Sequence, residues 1–393
     1  MKRETTILIL CMTTLMITGL LMVYSIGALR SPNALLFFKH LIFLSVGFVG
    51  FLVMSRFDYH YLGSPVLLRY IVLGTLLLLG LTFVPGVRLT MGGAARWIGW
   101  RFISFQPAEL AKFSLVLLLA ARLTQNQEKV KGYFTGVVMP FGIAGVFVVI
   151  VLAQKDIGIP MIMIATTGIM VWVAGARKLH LIISAAIPVA GLLPLIMHSG
   201  YRMARIKAFL DPWSDREDTG FQLIQSMSAF AQGGFWGRGA GAGEQKLGYL
   251  PAAHTDFIYA IIGEEFGFVG TVLTLALFAL IIYAALRVAA NAPDLFGTLL
   301  STGIASLIAV QALFIMAVTL GMLPTKGLPL PFVSYGGSAL IVSMTMMGVL
   351  VNIGVQAREQ TPQRKQTSPR PAVRRPSRAA STPAVAKAKA RLG

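Results

Sequence analysis

Asp256 stands where a polar, glycine-rich stretch passes into an apolar run long enough to cross a membrane, within Gln245–Gly267 (QKLGYLPAAHTDFIYAIIGEEFG). A carboxylate at that border is costly to desolvate and needs a partner or a chemical task, and one task open to it is accepting a proton from a hydroxyl. The chain holds only 15 acidic residues, so the field of candidate bases is small. Thr255 and Asp256 are equally suited to capping the helix that follows, which leaves cap and base as alternatives. Glu264 falls about 12 Å further along that helix and about 80° round it, so it can share a cavity with Asp256, whereas Glu265 points elsewhere and suits a structural partner. His254 reads as a hydrogen-bonded structural residue. None of the five histidines has metal-ligand spacing, so no protein-ligated metal is expected.

Basic residues surround this carboxylate in sequence. The segment 199–256 holds Arg202, Arg205, Lys207, Arg216, Arg238 and Lys246 against six acids. Arg202 and Arg205 share one helical side and can either pair with nearby acids or hold a phosphate, whose oxygens match guanidinium forks. The glycines from Gly233 to Gly243 do not form a nucleotide loop, because no GxxxxGK[ST] pattern or preceding strand is present. Elsewhere Glu109 reaches Lys112 at i, i+3 and neutralises it. Lys155-Asp156 forms a short outer connection, and Pro324-Thr325-Lys326-Gly327 makes a rigid outer turn before Ser334-Tyr335-Gly336-Gly337.

The elements that must position these residues are membrane spans. Among 393 residues, 56% are hydrophobic and 12% charged, half the charge of an ordinary soluble domain. Apolar runs of span length occur near 5–28, 36–54, 66–84, 107–123, 134–153, 157–175, 179–198, 257–286, 296–322 and 337–356. The expected fold is an all-α polytopic membrane protein of about ten transmembrane helices, residues 1–356, with a large extracellular loop, 199–256, between spans 7 and 8. Met1-Lys2-Arg3 precedes a run too long for a cleaved signal, so it should remain as the first span. Cys11 lies within it, and a single cysteine gives no disulfide framework.

Lys and Arg fall in alternate loops in a way that puts both termini in the cytoplasm and 85–106 and 199–256 outside. In 85–106, Arg88, Arg96 and Arg101 occur with Trp97 and Trp100 and no acid, which suits a loop lying along the interface. Residues 357–393 carry ten Lys/Arg against Glu359 alone. This tail is rich in Pro, Ser, Thr and Ala and reads as a disordered cytoplasmic extension that contacts membrane lipids. Its diffuse charge without interleaved aromatics argues against nucleic acid.

Several ordered motifs then converge: Arg96-Trp97-Ile98, Gln106-Pro107-Ala108-Glu109-Leu110-Ala111-Lys112, Ala208-Phe209-Leu210-Asp211-Pro212-Trp213, Gln245-Lys246-Leu247, His254-Thr255-Asp256-Phe257, Gly263-Glu264-Glu265 and Pro331-Phe332-Val333-Ser334-Tyr335-Gly336-Gly337. Together they resemble the SEDS family of bacterial cell-wall polymerases, the FtsW, RodA and SpoVE group, over nearly all of 1–356. The turn with Lys326 and the basic tail look more like the division branch than the elongation branch. The family's Pro-Asp-x-Gly-Thr stands here as Lys155-Asp156-Ile157-Gly158-Ile159, and Ala252 and Gly243 replace a common acid and a serine.

The resemblance implies a peptidoglycan glycosyltransferase of the bacterial inner membrane, at the division septum, that polymerises lipid II at the outer face and releases undecaprenyl pyrophosphate. It implies Asp256 as general base, with Arg202, Arg205, Lys246, Lys326 and Gln245 binding substrate and His254, Glu264, Glu109, Lys112, Asp156 and Ser334 in support. It implies no tightly bound cofactor beyond a possible divalent Mg or Mn. The implied partners are a class B penicillin-binding transpeptidase and other divisome proteins. A lipid II flippase is the alternative from another class, since charged groups at depth also describe a translocation path; a RodA-type elongation polymerase is the alternative within the family.

Overall fold

The computed structural model describes residues 2–30, 35–91, 94–100, 103–184, 191, 194, 200–217 and 220–367; the side chains at 28–30, 91, 94, 100, 103, 201, 202 and 360–367 lie outside that description. The helices are α1 (Lys2–Arg30), α2 (Leu35–Arg56), α3 (Pro65–Leu81), α4 (Pro107–Gln125), α5 (Met139–Ala153), α6 (Gly158–Val173), α7 (Gly200–Leu210), α8 (Phe221–Gly233), α9 (Ile258–Ala290), α10 (Leu295–Thr319) and α11 (Gly337–Thr367). Six stretches are long and apolar enough to cross a membrane: Lys2–Gly27, Leu35–Arg56, Phe134–Ala153, Ile258–Ala290, Leu295–Thr319 and Gly337–Glu359. The shorter α3 and α6 and the more charged α4 fall on three further expected spans. The expected seventh span, near 179–198, lies mostly outside the described residues. The chain is a predominantly α-helical polytopic membrane protein.

Helices that are apolar all round still divide their faces between protein and lipid. In α10 and α11, 78% and 83% of the most apolar window is buried, against 17% in α2, so α10 and α11 form the centre of the bundle. Their enclosed side chains include Leu299, Ile304, Met344, Met347 and Leu350. α2 instead exposes Phe38, Ile42, Val46, Val49 and Val53, a helical stripe suited to lipid tails.

Two features differ from the sequence expectation. The stretch 85–106, expected as a loop lying along the interface, has regular structure in its described residues. It forms a three-stranded antiparallel sheet, β1 (Arg88–Met91), β2 (Ala94–Trp100) and β3 (Ile103–Phe105), in the order β1-β2-β3. Arg88 pairs with Ile98, Leu89 with Trp97 and Ile98 with Phe105. In the sequence Gly92-Gly93 falls between the first two strands, a two-residue hairpin signal.

The eighth expected span is also not one continuous helix. α9 is broken at Gly267, where φ is 63° and ψ −158°, a conformation that a side chain would strain. The amides of Phe268 and Val269, which begin the second half, donate to the carbonyls of Gly234 and Phe235. The turn after α8 thus satisfies the backbone groups that the break exposes, as non-helical backbone at membrane depth requires.

Candidate active site

The last residues before α9 hold Asp256. The N-cap position of α9 is occupied by Phe257, with no side-chain capping bond, so the Asp256 carboxylate is not spent on the helix amides. It is half-buried and lies against the 324–336 turn, where a Cβ built on Gly327 would stand 3.0 Å from Oδ2. Gly327 itself is exposed, so the carboxylate sits at an edge that meets solvent. Burial pushes its carboxyl up to about 7; a hydrogen bond with Thr255 and the positive fields of Arg205 and Arg96 oppose that shift, and Asp156 adds to it.

Each of these charges is held by a different element. Arg205, on α7, donates from Nη1 to the Thr325 carbonyl at 2.9 Å, which ties α7 to the turn facing Asp256. Arg96, on β2, donates from Nη2 to the Lys155 carbonyl at 2.7 Å and approaches Asp156 Oδ2 to 3.4 Å. Asp156 accepts from the amides of Gly158 and Ile159 at the start of α6. Lys155 adopts a positive φ of 62° at this bend.

The 324–336 turn is stitched to the backbone beside Asp256. Ser334 Oγ donates to the Thr255 carbonyl at 2.6 Å and accepts from the Leu330 amide at 2.8 Å. The Tyr335 amide donates to the His254 carbonyl at 2.9 Å, and the two rings lie 5.8 Å apart. Lys326, half-buried, precedes Gly327 in the same turn. From beneath, Lys112 Nζ contacts Glu109 Oε2 at 2.8 Å and donates to Gln311 Oε1, while Gln311 Nε2 donates to the Pro329 carbonyl at 2.8 Å. A buried chain of polar contacts therefore runs from α4 through α10 to the turn.

Other residues expected at the site stand apart from it. Lys246 is 1% exposed, and its ammonium meets Glu265 Oε1 at 2.6 Å, the Gly241 carbonyl at 2.6 Å and Ser25 Oγ at 2.5 Å. An ammonium has three protons to donate, and Glu265, Gly241 and Ser25 take all three, so Lys246 is engaged by the protein itself. Gln245 is also buried, and its backbone N–H donates to the Glu264 carboxylate. Glu264 accepts the Glu244 amide at 2.7 Å. The side chain of Arg202 lies outside the described residues. Among the described residues, no three His, Cys, Asp or Glu side chains converge in a way that could hold a metal.

Arg96, Gly327 and Gln311 were not singled out from sequence as site residues. For Arg96 a signal existed, since it is a cation in a segment that contains no acid.

A family model described as a cell cycle protein, FtsW/RodA/SpoVE, matches residues 4–359. The chain belongs to that family. A protein of Geobacter sp. (strain M18) named "Probable peptidoglycan glycosyltransferase FtsW" is 43% identical, over 86% of this chain and 94% of its own length. "Stage V sporulation protein E" of Bacillus subtilis (strain 168) is 36% identical, over 91% of this chain and 99% of its own. Among solved structures, a chain from "Structural coordination of polymerization and crosslinking by a peptidoglycan synthase complex" superposes with a TM-score of 0.71 at 27% identity, covering 89% of this chain and 97% of that one. RodA of Thermus thermophilus shares the fold, with a TM-score of 0.63 at 24% identity, over 90% and 96% of the two chains.

Proposed function

We propose that this chain is a peptidoglycan glycosyltransferase that polymerises lipid II at the outer face of the bacterial inner membrane, with Asp256 as general base. The observation that carries the reading is the state of Asp256: uncapped, half-buried, raised to about 7, and faced by Arg205 and Arg96 from separate elements. A base is most effective with a pKa near the working pH. Asp256 would take the proton of the acceptor sugar hydroxyl as its oxygen attacks the anomeric carbon of the donor. The bond from that carbon to the pyrophosphate breaks, and undecaprenyl pyrophosphate leaves.

A leaving pyrophosphate needs positive charge rather than a proton, so cations take the place of a second carboxylic acid. Arg205 and Lys326, which flank the Gly327 edge, would meet the phosphate oxygens, with Arg96 behind them and Arg202 as a further candidate. Any accompanying Mg or Mn ion would draw its oxygens mainly from the substrate, since no cluster of three His, Cys, Asp or Glu side chains forms among the described residues.

The flippase reading loses support from Glu264 and Glu265. These residues would have to extend a polar path inward, and both are engaged by the glycine-rich loop. The names of the relatives favour septal synthesis over elongation. The chain that superposes comes from a complex that coordinates polymerization and crosslinking, which supports a crosslinking partner, here taken as a class B penicillin-binding transpeptidase. Both termini in the cytoplasm and lipid contact by the basic tail complete the proposal.

Purified full-length protein given lipid II, alone and with its cognate transpeptidase, should form glycan chains. Translocation in vesicles without any glycan product would refute the enzyme reading.

A further inference from the structure

Lys246 and Glu265 take no part in the proposed chemistry, yet they form the most enclosed of the described ion pairs, with side chains 1% and 0% exposed. Charges removed so completely from water cost more than their attraction returns unless further hydrogen bonds complete them. Here they are completed. Ser25 Oγ, on α1, lies 3.1 Å from Glu265 Oε1 and 2.5 Å from Lys246 Nζ, and Glu265 Oε2 accepts the Gly241 amide at 2.9 Å.

The loop is also fitted backbone to backbone against the broken helix. Gly237 has φ 85°, and a Cβ on it would fall 2.2 Å from the Glu265 carbonyl oxygen, while one on Gly267 would fall 2.3 Å from the Gly237 nitrogen. Asp256 lies ten residues after Lys246 and nine before Glu265, so their contact closes a loop with Asp256 at its middle.

We infer that Ser25, Lys246 and Glu265 form a positioning triad, which joins α1, the glycine-rich loop and the first half of α9 into one body and so fixes the Asp256 carboxylate for proton transfer. The inference rests on the catalytic reading of Asp256. Lys246 acts through the backbone on either side of it and does not touch substrate. α1 thereby becomes a lever on the site: a shift of its outer end is transmitted through the Ser25 hydroxyl to the loop that carries the base.

The test is the full-length double variant Lys246→Met/Glu265→Gln, which removes both charges together and keeps an acceptor for the Gly241 amide. Small displacements of a catalytic group cost up to about 100-fold in rate, so kcat for lipid II should fall at least about tenfold while KM stays within about twofold. The midpoint of the pH–rate profile should also move, and hydrogen exchange should quicken across 237–247 and 252–256. A fall in kcat with an unmoved midpoint and unchanged exchange would mark the pair as merely structural and overturn the proposal, as would parental kinetics. A rise in KM alone would put Lys246 on the substrate and equally overturn it.

If the double variant does not fold, Ser25→Ala, which removes one hydroxyl, should show the same signs at smaller size, and parental kinetics and exchange there would overturn the triad. Active Asp256→Asn protein would instead sink the catalytic reading, and the exchange measurement would still decide whether the triad clamps the loop.

Discussion

Gly327 faces Asp256 closely enough that a single carbon added to the glycine would stand 3.0 Å from the carboxylate oxygen. Gly327 is exposed within an otherwise largely enclosed turn, so the base is left open where a methyl group at that position would cover it. Gly327→Ala should lower glycan formation severalfold or more through misplacement of the carboxylate, with little change in melting temperature, because Gly327 is not among the residues at positive φ. Parental turnover in this variant would show that the Gly327 edge is not where the acceptor approaches.

The raised carboxyl of Asp256 has signed consequences. As a base it must be ionised, so kcat/KM should climb with pH through a midpoint near 7. Its folded-state value lies above the unfolded one of about 3.9, so the stability tied to this residue is present below about pH 4 and is lost as pH rises through about 7. Asp256→Asn should cut glycan formation by about two orders of magnitude or more. It should also melt higher than the parent at pH 8 while matching it more closely at pH 5. Because α9 is not capped by Asp256, a large loss of activity in this variant cannot be assigned to a missing cap.

Arg96 and Asp156 pull that carboxyl in opposite directions. Arg96→Gln removes a positive field, and the midpoint of the kcat/KM profile should move to higher pH. Asp156→Asn keeps an acceptor for the Gly158 amide and removes a negative field, so the midpoint should move lower. Shifts of the same sign in both variants would mean that Asp256 is not the titrating group.

Glu109 and Lys112 are both nearly inaccessible. Removing one charge from such a pair strands the other and costs about 3–5 kcal/mol. Lys112→Met should therefore lower the melting temperature sharply, and Glu109→Gln/Lys112→Met should recover most of the loss. Residual inactivity in the stable double variant would trace to the contact through Gln311 to Pro329, and lipid II polymerisation measured on protein of equal foldedness separates the two effects.

The sequence alone determined the class of the molecule and its most telling carboxylate. Apolar runs of span length report directly on the solvent each helix meets, because lipid tolerates few charges, and Asp256 is conspicuous for the same reason. Local pairs were legible too, Glu109 with Lys112 among them, since helical spacing fixes which side chains meet. The contacts between distant segments were decided only by tertiary structure. Whether Lys246 faced substrate or protein depended on Ser25 and Glu265, which lie 221 and 19 residues away from it, and no local pattern encodes that distance. Arg96 reached the site through a small sheet whose glycine pair was its only sign. The break at Gly267 was hidden inside an unbroken apolar run, because hydropathy records what a residue dissolves in and not the backbone angle it adopts. Gly267 takes that angle because the turn at Gly233–Gly237 packs against it, and only the folded chain brings the two together.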